Sequence, residues 1–348
     1  MGHRLNEQFA KEYNSVDILK FVLSVFVMII HSGIDKTVIS PLLRMAVPLF
    51  FIVSSYFFFS KNKKLNEKTE KREALVCFIK RNVLLYLFWA VLQLPVVMFM
   101  RGYFHDLFPN GVFSTVKDMV LGNGFTGSWY IIASVIGVVV VYWASKVISA
   151  GWLVLLTLPL YIVCCLVTNY WNVFESGSIV VTLGNGYYDL TGLYFYTSFP
   201  VALFWVSLGR FLAETKIELK SRTLWVICAV SGVLLALERY LVVRYSLATT
   251  DDCYFMLALL CPVILLLIFR CRGVFKTKFR LREISVIIYV MHGCCERVVG
   301  YMLKMLPFDF WGQNVVKIVI SLAVILILGH ILIYVREKRG IRFLKYAF

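Results

Sequence analysis

The chain has 348 residues, 60% hydrophobic and 16% aromatic, with a mean hydropathy of +0.79. That composition excludes a water-soluble globular domain. The formal net charge of +16 would point to nucleic acid in a soluble chain, so here its distribution must explain it.

The first fifteen residues are polar, and no small-residue cleavage site follows the first apolar segment, so no cleavable signal peptide is expected. Apolar segments then follow at about Val16–Ile34, Leu42–Ser60, Val76–Met100, Ser128–Val147, Gly151–Thr168, Leu193–Leu212, Leu224–Val243, Tyr254–Phe269, Ile284–Leu303 and Val315–Val335. Several approach the roughly 20 apolar residues that span a bilayer. The expected fold is all-α: a polytopic integral membrane protein of about ten transmembrane helices, with residues 1–348 as one domain. Pro95 should kink the third span. The nine cysteines show no CxxC and no metal spacing. Cys164–Cys165 and Cys294–Cys295 sit inside apolar runs and read as packing residues.

With the N- and C-termini in the cytoplasm and alternating helices, about three quarters of the Lys and Arg fall on inner connections. These are Arg4, Lys11 and Lys20 at the N-terminal end, Lys146, and the segments Lys61–Arg81, Arg210–Arg222, Arg270–Arg282 and Arg336–Lys345. The outer connections are less basic. Gly102–Gly127 carries His105, Asp106 and Pro109; Lys36 is also placed outside. Asn169–Gly192 has no Lys or Arg but has Trp171, Glu175, Tyr187, Tyr188 and Asp189. An interfacial aromatic belt is the ordinary reading of those rings; a sugar-stacking surface is the functional one.

The first span carries Asp17, Lys20 and His31. Each such group costs roughly 2.5–3.5 kcal/mol near a helix centre and ordinarily faces protein or a watery cavity. Eleven steps of about 100° bring His31 back over Lys20, roughly 16 Å along the axis, with Asp17 and Ser24 within about 40°. Taken singly, Lys20 reads as a snorkelling lysine and His31 as a headgroup-layer histidine. Four further clusters lie in the apolar segments: Arg44, Ser54, Ser55 and Tyr56; Ser128, Trp129 and Tyr130; Glu238 and Arg239; and Ser285, Tyr289 and His292, spaced to share a face. Interhelical hydrogen bonding explains each cluster alone.

In order, these clusters resemble the acyltransferase 3 family of membrane O-acyltransferases. Asp17, Lys20 and His31 match its opening pattern, VPLFFIVSSY its VPLFF…SGY, Trp129-Tyr130-Ile131 its WYL, FWVSLGRFLAE the element holding Gly209, and ISVIIYVMH its late Ser…Tyr…His. Lys20 stands where Arg is usual and Ser55 where Gly is usual; an ammonium lacks the bidentate fork of a guanidinium.

The resemblance implies an O-acetyltransferase-like enzyme of the inner (cytoplasmic) membrane. It would move an acyl group, acetyl being the expected one, from cytoplasmic acyl-CoA to a hydroxyl of a cell-envelope glycan, an exported polysaccharide or a lipid-linked sugar. Its partners are then the bilayer, acyl-CoA as donor substrate and the glycan, with no bound cofactor, metal or nucleic acid. His31 would be the base, with Lys20 and Asp17 beside it in the catalytic set. Arg44, Ser54, Tyr56, Trp129, Tyr130, Ser285, Tyr289 and His292 would bind donor or acceptor. The rival is a transporter of a small solute or amino acid, because the family also resembles the membrane domain attached to vancomycin-resistance serine racemases. A polysaccharide export component is the intermediate possibility.

Overall fold

The computed structural model describes residues 14–34, 39–102, 107–271, 280–305, 312–339, 344 and 346–348. Arg4, Lys11, Lys36, His105, Asp106, Arg272, Lys276, Lys278, Arg342 and Lys345 lie outside the described residues. The regular elements are helical, with no strand among the described residues. In chain order they are α1 (Asn14–His31), α2 (Ser40–Leu43), α3 (Ala46–Lys63), α4 (Lys68–Met100), α5 (Val112–Val120), α6 (Trp129–Ala144) and α7 (Ala150–Leu166). Then come α8 (Ile179–Thr191), α9 (Phe199–Glu214), α10 (Ser221–Arg244), α11 (Leu257–Arg270), α12 (Leu281–Lys304) and α13 (Gln313–Arg339).

Each apolar segment expected from the sequence carries a helix. Six of the spans are long and apolar enough to cross a membrane: α1, α2–α3 together, α4, α10, α12 and α13. The others are shorter. The 16 residues of α6 rise about 24 Å at 1.5 Å per residue, less than the roughly 30 Å hydrocarbon core. Pro95 sits inside α4 without ending it.

The described chain groups into two compact units. The first comprises residues up to 37, 81–131 and 271–348. Its heart is α12, packed between α1 and α13. Lipid offers helices no hydrophobic gain on association, so close van der Waals fit must hold them. Here branched side chains supply it: Ile284, Ile287 and Ile288 of α12 interlock with Met28 of α1 and with Ile318, Ile325 and Ile333 of α13. The end of the chain folds back onto this unit. Ala347 is buried and its carbonyl accepts a hydrogen bond from the Trp89 indole at 2.8 Å, while Arg336 lies over the Phe348 ring.

The second unit comprises residues 38–80 and 132–270. Its centre is α9, buried on nearly every side and packed on α3 and α7. That is why FWVSLGRFLAE is apolar all round rather than amphipathic. Gly209 lets α9 touch α3. A Cβ there would stand 2.7 Å from the Ile52 carbonyl and would collide with Ser55, whose hydroxyl donates back to the Phe51 carbonyl at 2.7 Å. The serine in place of the family's glycine is thus accommodated by a glycine opposite it. Arg210, also on α9, pairs with Glu214 at 2.8 Å and donates to the Ile148 carbonyl.

One end of this unit is closed by polar contacts. Glu238 of α10 accepts from Tyr170 Oη at 2.9 Å and from the Phe255 and Met256 amides at 2.7 and 2.9 Å. A carboxylate there suits the positive end of α11, whose first amides have no intrahelical partner. Next to it Arg44 forms ion pairs with Asp251 and Asp252, and Asp251 also accepts from Ser40 and lies 3.7 Å from Arg239. Burial pushes the Asp251 carboxyl up, but Arg44, the Ser40 hydroxyl and Arg239 outweigh it and hold the group below its ordinary range. A carboxyl whose value is lower folded than unfolded stabilises the fold above its ordinary range, and that contribution disappears as pH falls through the depressed folded value. Asp251→Asn should therefore lower the thermal midpoint in detergent at pH 7, by a stability loss of about 1–2 kcal/mol for this partly exposed pair. Acidification from pH 6 to pH 3 should cost wild type more than the variant; parallel pH curves would show that the Asp251 charge contributes no stability.

Candidate active site in the first unit

The chain at His31 is shaped by the way α1 ends. The Ser32 hydroxyl donates to the Ile29 carbonyl at 2.8 Å, Gly33 turns left-handed at φ +78°, and Asn314 of α13 donates to the Gly33 carbonyl at 3.0 Å. These bonds satisfy carbonyls that the last helical turn would otherwise leave open. They leave the His31 imidazole exposed at the helix terminus.

Opposite it stands α12. The sequence spacing foresees one polar face, and the structure confirms it and extends it by one turn: Ser285, Tyr289, His292 and Glu296 are all buried. The His292 ring lies 5.1 Å from the His31 ring, centroid to centroid. Its Nδ1 lies 2.6 Å from the Tyr289 carbonyl. A carbonyl only accepts, so Nδ1 carries the proton and Nε2 presents its lone pair. Nε2 is buried and has no hydrogen-bond partner among the described residues. Tyr289 Oη donates to the Gly127 carbonyl at 2.6 Å, and the Tyr130 ring meets Tyr289 edge-on at 5.5 Å.

The glycine-rich run GNGFTGS forms the third wall. Tyr86 Oη donates to the Met119 carbonyl and accepts from the Gly124 amide. Arg101 pairs with Asp118 and donates to the Asn123 carbonyl. Ser128 Oγ lies 2.7 Å from the Gly122 carbonyl and accepts from the Phe125 amide. So held, the loop places Gly127 beneath His292 at φ +79°, with a Cβ position only 3.4 Å from His292 Cε1.

At the other end of α1, Asp17 and Lys20 are half-buried one turn apart. Asp17 lies within electrostatic reach of Lys20, Arg282 and Glu283, and Lys20 within reach of Arg282, Asp17 and Arg81. Three cations thus share one carboxylate neighbourhood. Glu283 is in turn paired with Arg336 at 3.4 Å.

The first unit therefore holds Asp17, Lys20, His31, Trp129, Tyr130, Ser285, Tyr289 and His292 of the expected set. Trp129 is half-buried at the start of α6, and Ser285 donates to the Arg282 carbonyl at 2.9 Å. Arg44, Ser54 and Tyr56 belong to the second unit. There Arg44 is engaged by its two aspartates, Ser54 is half-buried in α3, and the Tyr56 ring packs on Phe269 at 4.4 Å. Sequence reasoning missed Glu296, which one more step of four from His292 would have found. It also missed Arg81 and Arg282 as neighbours of Lys20, and no local signal connects them.

A helical membrane protein whose first span ends in an imidazole beside a second, buried imidazole is the class that the fold and these residues define. Residues 13–332 match the model of the acyltransferase 3 family, described as an acyltransferase domain, and the chain belongs to that family. It is a multi-pass membrane protein of that kind. Two proteins of Enterococcus faecalis, each named an amino-acid racemase, are similar to it. One is 25% identical over 309 residues, covering 83% of this chain and 40% of its own length. The other is 20% identical over 315 residues, covering 84% and 42%. The chain thus spans about two fifths of the curated relatives it matches. No solved structure matches.

Gly127→Ala should fold but work poorly. The substitution asks an L residue to hold φ +79° and sets a methyl against the His292 ring, a strain of about 1–2 kcal/mol. A modest fall in thermal midpoint with at least a tenfold loss of turnover is expected; wild-type turnover would mean that the His292 ring position does not matter.

Proposed function

We propose that this protein is a membrane O-acyltransferase that moves an acyl group, acetyl first, from cytoplasmic acyl-CoA to a hydroxyl of a cell-envelope or exported glycan. The observation that carries this reading is the pairing of the exposed His31 with the buried, tautomer-fixed His292 on a span whose other end gathers cations around Lys20.

Acyl transfer to an alcohol requires a base for the hydroxyl proton. His31, as the neutral imidazole, takes that proton as the hydroxyl oxygen attacks the thioester carbonyl. The tetrahedral oxyanion collapses, the carbon–sulfur bond breaks, and the protonated His31 returns the proton to the departing CoA thiolate. The acyl ester and free CoA thiol are the products, with atoms and charge balanced. Lys20, Arg81 and Arg282 offer positive charge for the donor's phosphates, and Asp17 lowers the cost of burying Lys20. Ten spans with both termini cytoplasmic would put this cationic end inside and His31 toward the outer leaflet, as the charge distribution requires. The shorter helices would cross by locally thinning the bilayer or by shielding within the protein.

A second reading, a carrier for a small amino acid, is favoured by the racemase names of the relatives and by the partial length over which they match. CoA release that depends on glycan supports the enzyme; solute uptake without CoA release supports the carrier. Mass spectrometry of envelope glycans from a deletion strain and its complemented parent would reveal the acceptor as a lost acyl mass.

Topology is open to a direct check. In a protein whose native cysteines have been replaced, Asn66→Cys should resist a membrane-impermeant maleimide in intact cells, while Gly177→Cys, where a side chain meets nothing within 4 Å, should label readily. The reverse pattern would remove the cytoplasmic donor.

His31→Ala should reduce turnover on the order of 100-fold or more while leaving acyl-CoA binding intact. Lys20→Arg should keep much of the activity, and Lys20→Ala should weaken donor binding. These outcomes are read from CoA release and donor affinity measured separately in nanodiscs. A well-folded His31→Ala protein with the wild-type rate would remove His31 as the base.

A further inference from the structure

The buried end of the histidine pair has a role that the acyl-transfer chemistry does not itself require. His292 is fully buried, yet its Nε2 has no hydrogen-bond partner among the described residues. Leaving a buried acceptor unmade costs about 1–3 kcal/mol, so such an atom in a native core calls for a reason. The tautomer is not arbitrary, because the Tyr289 carbonyl holds the proton on Nδ1. Nor is the ring free to turn. Tyr289 is anchored to Gly127, and a Cβ at Gly127 would stand 3.4 Å from Cε1 and 3.8 Å from Nε2 of the His292 ring.

The His31 ring is the imidazole described beside the His292 ring. Ring nitrogens stand about 1.1 Å from their centroid, so the 5.1 Å centroid separation leaves roughly 2.9 Å between two nitrogens aimed at each other, the length of a hydrogen bond. His31 is exposed at the end of α1. Catalytic hydrogen bonds are commonly loose in an unliganded site and tighten when substrate arrives.

We propose that His292 is a positioning residue: its Nε2 lone pair accepts the N–H of His31, fixing the His31 tautomer so that the opposite nitrogen presents its lone pair to the acceptor hydroxyl. This rests on His31 being the base. It is the orienting logic of a catalytic triad with a neutral imidazole in the third position. The arrangement stabilises the His31 imidazolium less than a carboxylate would, and it places no second charge in the apolar core. Among the described residues, the titratable and charged groups around the pair include Tyr289 and Glu296 on the same helix, Arg297 one residue further, Tyr130 at the start of α6 and, on α13, Lys317, which donates to the Asn314 that holds Gly33; the Gly122–Ser128 loop brings none.

The test is nitrogen-15 NMR of histidine-labelled protein in nanodiscs, with His31 assigned by its loss in His31→Gln, alongside the pH profile of turnover. Wild type should show His292 protonated at Nδ1 over the neutral range and His31 in a single tautomer. In His292→Ala, His31 should populate both tautomers and titrate lower by about half a pH unit or more, because its cation loses an acceptor. The acidic limb of kcat should move down by the same amount, with kcat reduced at least tenfold and acyl-CoA affinity unchanged. His292→Gln, whose carboxamide oxygen accepts near the Nε2 position, should restore the single His31 tautomer and much of kcat. An identical His31 tautomer and midpoint in wild type and His292→Ala would overturn the proposal. So would His292 protonated at Nε2 in wild type, a result that needs no variant to fold. Absence of acyl transfer by wild type, with the His31 shift present, would instead overturn the acyltransferase reading and leave the pair intact.

Discussion

The first unit depends on how α12 disposes of its polar groups inside an apolar surround. Tyr289, His292 and Glu296 are buried on one face of a helix whose other contacts are branched aliphatics. A polar atom there has only the protein to partner it, because lipid offers none. Tyr289 solves this by donating to the Gly127 carbonyl, and His292 by donating to its own helix one turn back. Each bond has a second effect. The first ties the glycine-rich loop to α12, and the second fixes which nitrogen of His292 is bare. Stability and the proposed chemistry thus share the same two hydrogen bonds.

The contrast with the second unit is instructive. Several of its buried or half-buried ionisable groups are paired: Arg44 with Asp251 and Asp252, Arg210 with Glu214, and Glu238 with the amides before α11. Paired charges of this kind fasten helix ends and connections together, a structural task. In the first unit the charges around Lys20 are unequal, with Lys20, Arg81 and Arg282 facing Asp17 and Glu283. An excess of cations at one end and an imidazole pair at the other is the asymmetry that the proposed acyl-CoA donor and hydroxyl acceptor would use.

Glycines mark where backbone proximity matters in both units. Gly209 lets α9 and α3 approach closely enough to accommodate Ser55, and Gly127 lets the loop turn left-handed at φ +79° beside an imidazole. Neither position is informative alone in the sequence, since the chain has 21 glycines and most carry no such demand.

Much of the architecture was legible in the sequence for a simple reason. Hydrophobic length and 3.6-residue periodicity are local properties, so each apolar segment became a helix, and Lys20, His31, Ser285, Tyr289 and His292 could be assigned to faces before any packing was known. The sequence by itself determined the class: a helical membrane chain with polar groups too expensive to be accidental. Only the tertiary structure decided which of those groups meet. That His31 stands beside His292, more than 250 residues later in the chain, and that Arg81 and Arg282 join Lys20, follow from how α1, α4 and α12 pack. Arg44, grouped with the site residues by sequence, was assigned by tertiary contacts to aspartates more than 200 positions away. Pairings at such separation leave no periodic trace, because they are set by the fit of helix against helix rather than by the spacing along any one of them.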